Sequence, residues 1–428
     1  MSHPPALQRL LEAAADELRE IADEVSDASR SARLQLVRDL VLGGVALAAE
    51  GSQEFTALAW SVERLTASIG DPTADEELHR LGSRLLDVPM SSAARHHDAA
   101  EHTMDELTAD RIEDYLRHRF PAGRHDVRSV TTIHGGYSKR TTLVAGSLDG
   151  VEQEFVLRQI PAGLSTRTLV PEYTLLERLA RTDIPAPRPL WIDPTDNALG
   201  GPFFVTRRAP GSTIGDVWGS SSATPQTCRD VAEHYSHLHQ LPTAGLVTPV
   251  SPRATAEQLA ATIAKQEVVL HQRGIPVQSL LAALLEWLRR NLPAASPRPS
   301  LLHGDAAFSN LLVTDGRVTA IVDWEAAHIG NPAEELAYLR PSVAPVLDWD
   351  DFIAHYVSNG GMEPDPRDMQ FFTVWSHVWR HIGCLWLAKN FERTGRYASA
   401  IAGFVHGPRF LRSAVNAAFG SQITASER

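Results

Sequence analysis

The chain has 428 residues, 43% hydrophobic and 21% charged, with a formal net charge of −12. That length exceeds one ordinary core and divides into two or three domains of water-soluble, globular composition. The acidic balance argues against a nucleic-acid partner, the lack of a bilayer-length apolar run against a membrane partner, and two cysteines without metal or disulfide spacing point to a reducing cytoplasm.

Positions 1–104 hold 18 acidic and 9 basic residues, a net −9 that leaves about −3 for the rest. The N-terminus turns acidic within two helical turns, unlike a signal peptide. Leu7, Leu10, Leu11, Ala14, Leu18, Ile21 and Val25 recur at three- and four-residue steps, an apolar helical stripe with acidic residues opposite. From residue 88 the run VPMSSAARHHDAAEH loses all periodicity and reads as a linker. The expectation for 1–104 is an acidic helical domain plus linker, which must fold on itself, dock on its neighbour or support a homo-oligomer.

From about residue 105 the texture changes. LTADRIEDYL reads as a helix with Thr108 as N-cap. VRSVTTI, TTLVAGSL and EFVLRQI alternate between Gly-rich turns and suggest an antiparallel meander. A helix, EYTLLERLAR, and a strand, FFVTRRA, follow. Beyond Pro210-Gly211 the pattern is helical, apart from the hairpin LLVTDGRVTAIVDW with its Asp315-Gly316 turn. A small sheet-rich lobe over 105–210 and a larger helical lobe over 211–428 are expected.

That hairpin carries the chemistry. Asp305 and Asn310 precede its first strand and Asp323 follows its second, so the three polar side chains converge at one mouth. Singly, each reads as a loop cap or a solvated strand end. Two carboxylates and an amide together are hard oxygen donors suited to a magnesium ion completed by phosphates, and a carboxylate free of the metal can accept a hydroxyl proton.

HGDAAFSN followed by IVDWE resembles the signature of the aminoglycoside phosphotransferase family, over roughly residues 105–428. The resemblance implies an α+β, protein-kinase-like bilobal fold with an extra N-terminal helical segment. It implies Asp305 as catalytic base, His303 as brace of the catalytic loop, and Asn310 and Asp323 as magnesium ligands. It further implies transfer of the γ-phosphate of ATP, with GTP not excluded, to a hydroxyl of a small molecule. The alternative is a kinase-like nucleotide-binding or regulatory module without transfer.

In the small lobe, Gly135, Gly136 and Ser138 of IHGGYSKR resemble the family's phosphate loop, where glycines let backbone N–H groups approach phosphates. Lys139 stands where relatives often carry Asn. Arg158 of EFVLRQI matches the phosphate-gripping position, with Glu172 as its expected partner. Backbone groups from Thr206 to Ala209, Arg208 among them, correspond to the adenine-facing hinge. After IVDWE the chain reads GNPAEEL, with Glu335 replacing the Asp expected to hold the catalytic loop from behind. Trp375, Trp379 and Trp386 share a helical face that reads chiefly as core. His234, His237 and His239 fit an amphipathic helix better than a zinc site.

Overall fold

A computed structural model describes residues 107–426 apart from 134–138, 161–165, 196, 216–220, 247, 249, 276, 278 and 395–396. The helical segment expected over 1–104 therefore lies outside the described residues, as do Gly135, Gly136 and Ser138.

Helix α1, Ala109–Arg119, starts where Thr108 Oγ1 accepts the N–H of Arg111, and it buries Ile112, Tyr115 and Leu116. Strands β1 (His125–Ile133), β2 (Arg140–Leu148) and β3 (Val151–Gln159) form the expected antiparallel meander. Helix α2, Leu169–Leu179, follows, then β4 (Pro189–Asp193) and β5 (Phe203–Arg207). The five strands lie in the order β1-β2-β3-β5-β4, each antiparallel to its neighbour. Phe203–Thr206 are all buried rather than alternating, because β5 is covered on both faces. Phe203 meets Tyr115 of α1 edge-on at 5.2 Å, while Phe204 faces Tyr173 of α2 at 6.1 Å.

The chain continues through β6 (Ser212–Thr213), α3 (Pro225–Gln240), α4 (Ala256–Gln272), α5 (Ser279–Arg290) and β7 (Ser300–Leu302). Next come β8 (Leu311–Thr314), β9 (Arg317–Ile321), β10 (His328–Gly330), α6 (Pro332–Val343), α7 (Trp349–Ser358), α8 (Pro366–Thr394) and α9 (Tyr397–Ser426). The hairpin β8–β9 turns at Asp315 and Gly316, with φ of 51° and 76°, the left-handed pair that matches strand twist. The sequence pattern shows neither β4, which follows directly on the Pro-rich turn IPAPRP, nor β6, β7 and β10, where two or three residues are too few to show an alternation. They matter nonetheless, since β6 extends the hairpin sheet and β7 pairs antiparallel with β10.

The chain divides into two compact units. One comprises His102–Gln266 and Leu288–Thr373 and holds every strand described above. The other takes in Glu267–Trp287 and Val374–Arg428. In it, Trp375 is buried and lies 5.8 Å from Trp379, and Arg273 stacks over Trp386 at 4.5 Å. Core packing accounts for Trp375. No helix among the described residues is long and apolar enough to cross a membrane.

Candidate active site

The β7–β10 pairing sets Leu302 opposite His328, which delivers His303, Gly304 and Asp305 to the segment that follows the hairpin. Gly304 has φ +81°, and a Cβ there would lie 2.2 Å from the Ala326 carbonyl oxygen, so only glycine fits this crossing. His303 Nδ1 accepts the Asp305 N–H at 3.3 Å and Nε2 donates to Val322 O at 2.9 Å. The ring is thus fixed as one tautomer between the loop and the end of the hairpin, with Trp324 edge-on at 4.7 Å. His303 is fully buried.

Glu335 holds the same loop from behind. Its Oε1 accepts the Gly304 N–H at 2.9 Å, and its Oε2 accepts the His303 N–H at 3.1 Å and His239 Nε2 at 2.9 Å. The other nitrogen of His239 bonds the Tyr356 hydroxyl at 2.8 Å. The longer side chain at 335 therefore still spans the gap, and His239 belongs to this brace. Asn331 caps α6 through Ala333 N and binds Asp368 at 2.7 Å.

Asp305 and Asn310 are joined directly. Asn310 Nδ2 donates to Asp305 Oδ2 and to Asp305 O, each at 2.9 Å. With its amide protons spent on Asp305, the Asn310 side-chain oxygen is turned away from that carboxylate. Asp305 Oδ1 accepts the Tyr338 hydroxyl at 2.7 Å. The Val322 N–H donates to Asn310 O at 2.9 Å, which brings Asp323 beside Asn310 at the hairpin mouth. Asp323 itself sits in the left-handed region, φ 68° and ψ 64°.

One expected pair is replaced by two others. Arg158 does not bond Glu172; its Nη2 donates to Asp323 Oδ1 at 2.7 Å and its Nη1 to Thr141 Oγ1 at 2.9 Å. Glu172 is paired instead with Lys139, Nζ to Oε2 at 2.9 Å, and Lys139 also bonds Glu325. The exchange has a geometric cause. Thr141 lies opposite Arg158 in the β2–β3 register, so the guanidinium is taken up on its own sheet face and directed toward the hairpin mouth. Burial would raise the Asp323 carboxyl, but Arg158 first and Lys139 second hold it below the ordinary aspartate range. Burial would likewise depress the Lys139 ammonium, and Glu172 and Glu325 more than offset that.

Thr206 is buried in β5, opposite Val156. The Arg208 N–H donates to Glu154 O at 3.0 Å, and its side chain reaches Glu154 Oε1 at 3.0 Å on the surface. Among the described residues no three His, Cys, Asp or Glu side chains gather as a metal cage. The donor set open to a magnesium ion is the mixed one, Asp323 with the Asn310 amide oxygen, and its hard oxygens fit that ion.

The sequence pattern of the phosphotransferase enzyme family matches residues 129–372, more than half of the chain. The chain belongs to that family. Among similar proteins, acyl-CoA dehydrogenase family member 11 of Rattus norvegicus is 26% identical over 300 residues, covering 62% of this chain but 37% of the relative. The chain thus spans little more than a third of that protein. Hygromycin-B 4-O-kinase of Escherichia coli is 25% identical over 252 residues, covering 56% of this chain and 69% of that one. The solved GDP complex of aminoglycoside 2′-phosphotransferase-IIIa superposes with a TM-score of 0.51 at 17% identity, over 72% of this chain and 99% of the other. The fold is accordingly the kinase-like bilobal one of these phosphotransferases.

Thr141 and Tyr338 join the cluster without belonging to any motif, whereas Lys139 stands at a phosphate-loop position and Glu325 ends the motif IVDWE. Lys139, Glu325, Thr141 and Tyr338 all bond within this cluster. Tyr338 had a readable signal, since it lies three residues after Glu335 on the same face of α6. The partners of Lys139 had none, because they sit 33 and 186 residues away.

Proposed function

We propose that this family member is a magnesium-dependent kinase that transfers the γ-phosphate of ATP, or of GTP, to a hydroxyl of a small molecule. The observation that carries it is the joined pair Asp305–Asn310 set beside Asp323 at one hairpin mouth.

Asp305 is held by two donors, Tyr338 and Asn310, and so has its carboxylate oriented before a substrate arrives. It takes the proton of the acceptor hydroxyl as that oxygen attacks the γ-phosphorus. The bond to the β–γ bridging oxygen breaks, and the nucleoside diphosphate leaves. Asn310 and Asp323 are the residues that would hold magnesium. When bound, that ion neutralises phosphate charge. Arg158, now on Asp323, is placed to fork onto phosphate oxygens. Thr206–Ala209 correspond to the hinge, and Gly135, Gly136 and Ser138 to the phosphate loop. The likeness to a hygromycin-B kinase supports a small-molecule acceptor.

The test is nucleotide consumption, with ATP and GTP in parallel, screened against hydroxyl-bearing antibiotics and metabolites, with Asp305→Asn as blank. Transfer to at least one acceptor above the blank is expected. Nucleotide binding without transfer to any acceptor would favour the module without transfer activity.

A further inference from the structure

Glu172 on α2 is 2% exposed and its carboxylate must be compensated where it stands. The nearer cation is Lys139, whose side chain is 1% exposed and lies 2.9 Å away. Lys139 immediately precedes β2, two positions before Thr141, whose hydroxyl takes Arg158. From there Lys139 also reaches Glu325, two residues beyond Asp323. One ammonium thus ties the small-lobe helix to the segment that carries Asp323. Burial pushes the Glu172 carboxyl up, against Lys139 first and Arg158 second.

We propose that this chain divides between two side chains the work expected of one strand cation: Lys139 is the positioning residue that anchors Glu172 and links it to Glu325, which leaves Arg158 free to act as the phosphate-facing cation. In the resting state Arg158 shields Asp323; as a nucleotide enters, the guanidinium exchanges Asp323 for phosphate oxygens while Lys139 keeps α2 in place. The role of Arg158 rests on the function proposed above. That of Lys139 does not, because its charge balance with Glu172 exists without any ligand.

The experiment uses the full chain in two arms. Without ligand, thermal unfolding is measured for Lys139→Met, Arg158→Met, Glu172→Gln and the two doubles with Glu172→Gln. Lys139→Met leaves a buried carboxylate without its near partner and should lower Tm by about 5–10 °C. Adding Glu172→Gln, or replacing Lys139→Met by Lys139→Arg, should recover most of that loss. Arg158→Met removes the partner of Asp323 rather than of Glu172, so its Tm should show no recovery from Glu172→Gln. In the second arm, calorimetric affinity for ADP and ATP with magnesium should fall roughly 10- to 100-fold in Arg158→Met. It should stay weakened in Lys139→Met/Glu172→Gln although Tm has returned, since the anchor is gone. Recovery of Arg158→Met by Glu172→Gln would make Arg158 the anchor and overturn the proposal. Affinity returning together with Tm would reduce Lys139 to packing and overturn it too. If the unaltered chain binds no nucleotide, the Arg158 assignment and the proposed function fall, while the ligand-free arm decides Lys139 by itself.

Discussion

A carboxylate that is already hydrogen-bonded on both oxygens spends little reorganisation when a hydroxyl approaches, and this is the state of Asp305 between Tyr338 and Asn310. Asp305→Asn keeps the shape and removes the proton acceptor. Turnover should fall about 10²- to 10⁴-fold with nucleotide affinity retained, read by steady-state kinetics beside calorimetry. Arg158 makes a different point. Its fork spans Thr141 Oγ1 at 2.9 Å and Asp323 Oδ1 at 2.7 Å, two bonds that a single ammonium cannot reproduce in that geometry. Arg158→Lys should therefore lower kcat/KM by about tenfold or more despite the conserved charge; equal kinetics would refute a bidentate role. The convergence of Asp305, Asn310 and Asp323 was readable from spacing alone, because a hairpin must bring its ends together. The partner of Arg158 was not, because which carboxylate a long cation selects depends on strand register.

At the scale of elements, two glycines with nearly the same φ should behave differently. Gly316, φ +76° in the β8–β9 turn, has nothing nearer to a new Cβ than Thr227 Oγ1 at 3.8 Å. Gly316→Ala should cost only the backbone term, about 1 kcal/mol. Gly304, φ +81°, would drive the same methyl into the Ala326 carbonyl at 2.2 Å, and the loop bearing Asp305 must move. Gly304→Ala should lose both stability and turnover, measurable by urea unfolding and kinetics on the two variants side by side. Helix α6 carries a second test. Glu334 in its first turn bonds Arg253 at 2.7 Å and His328 at 3.1 Å. Against the burial that would raise it, these two hold its carboxyl down at about 2, from an ordinary 4.5. A depressed acid stabilises the fold above its unfolded value and loses that contribution as pH falls from about 4.5 towards 2. The contribution is about 3 kcal/mol at neutral pH. Glu334→Gln should be less stable at pH 7 and show a flatter acid limb, seen as a shrinking stability gap to the unaltered chain between pH 5 and 2. A constant gap would place the stabilisation elsewhere.

For the molecule as a whole, the family pattern over 129–372 and every residue of the proposed site lie beyond position 104. Deleting residues 1–104 leaves Thr108, the N-cap of α1, in place. Nucleotide affinity of the shortened chain should match that of the full one, while Tm or the mass in solution changes. Calorimetry with light scattering checks this, and lost affinity in a folded fragment would make the acidic segment part of the site.

The order of elements, the Asp315-Gly316 turn, the Thr108 cap and the three polar residues of the hairpin were determined by local sequence. Each follows from interactions between residues close in the chain: a 3.6- or two-residue period, a left-handed turn pair, a side-chain cap. Tertiary structure alone decided strand β4 and the three short strands that complete the sheets, the brace of His239 and Glu335 behind the loop, and the choice of partners among Lys139, Arg158, Glu172, Asp323 and Glu325. The chosen ion pairs join residues 33 to 186 positions apart that share one buried, mutually charged space. In such a space desolvation makes every pairing depend on all the others, and no local pattern records the outcome.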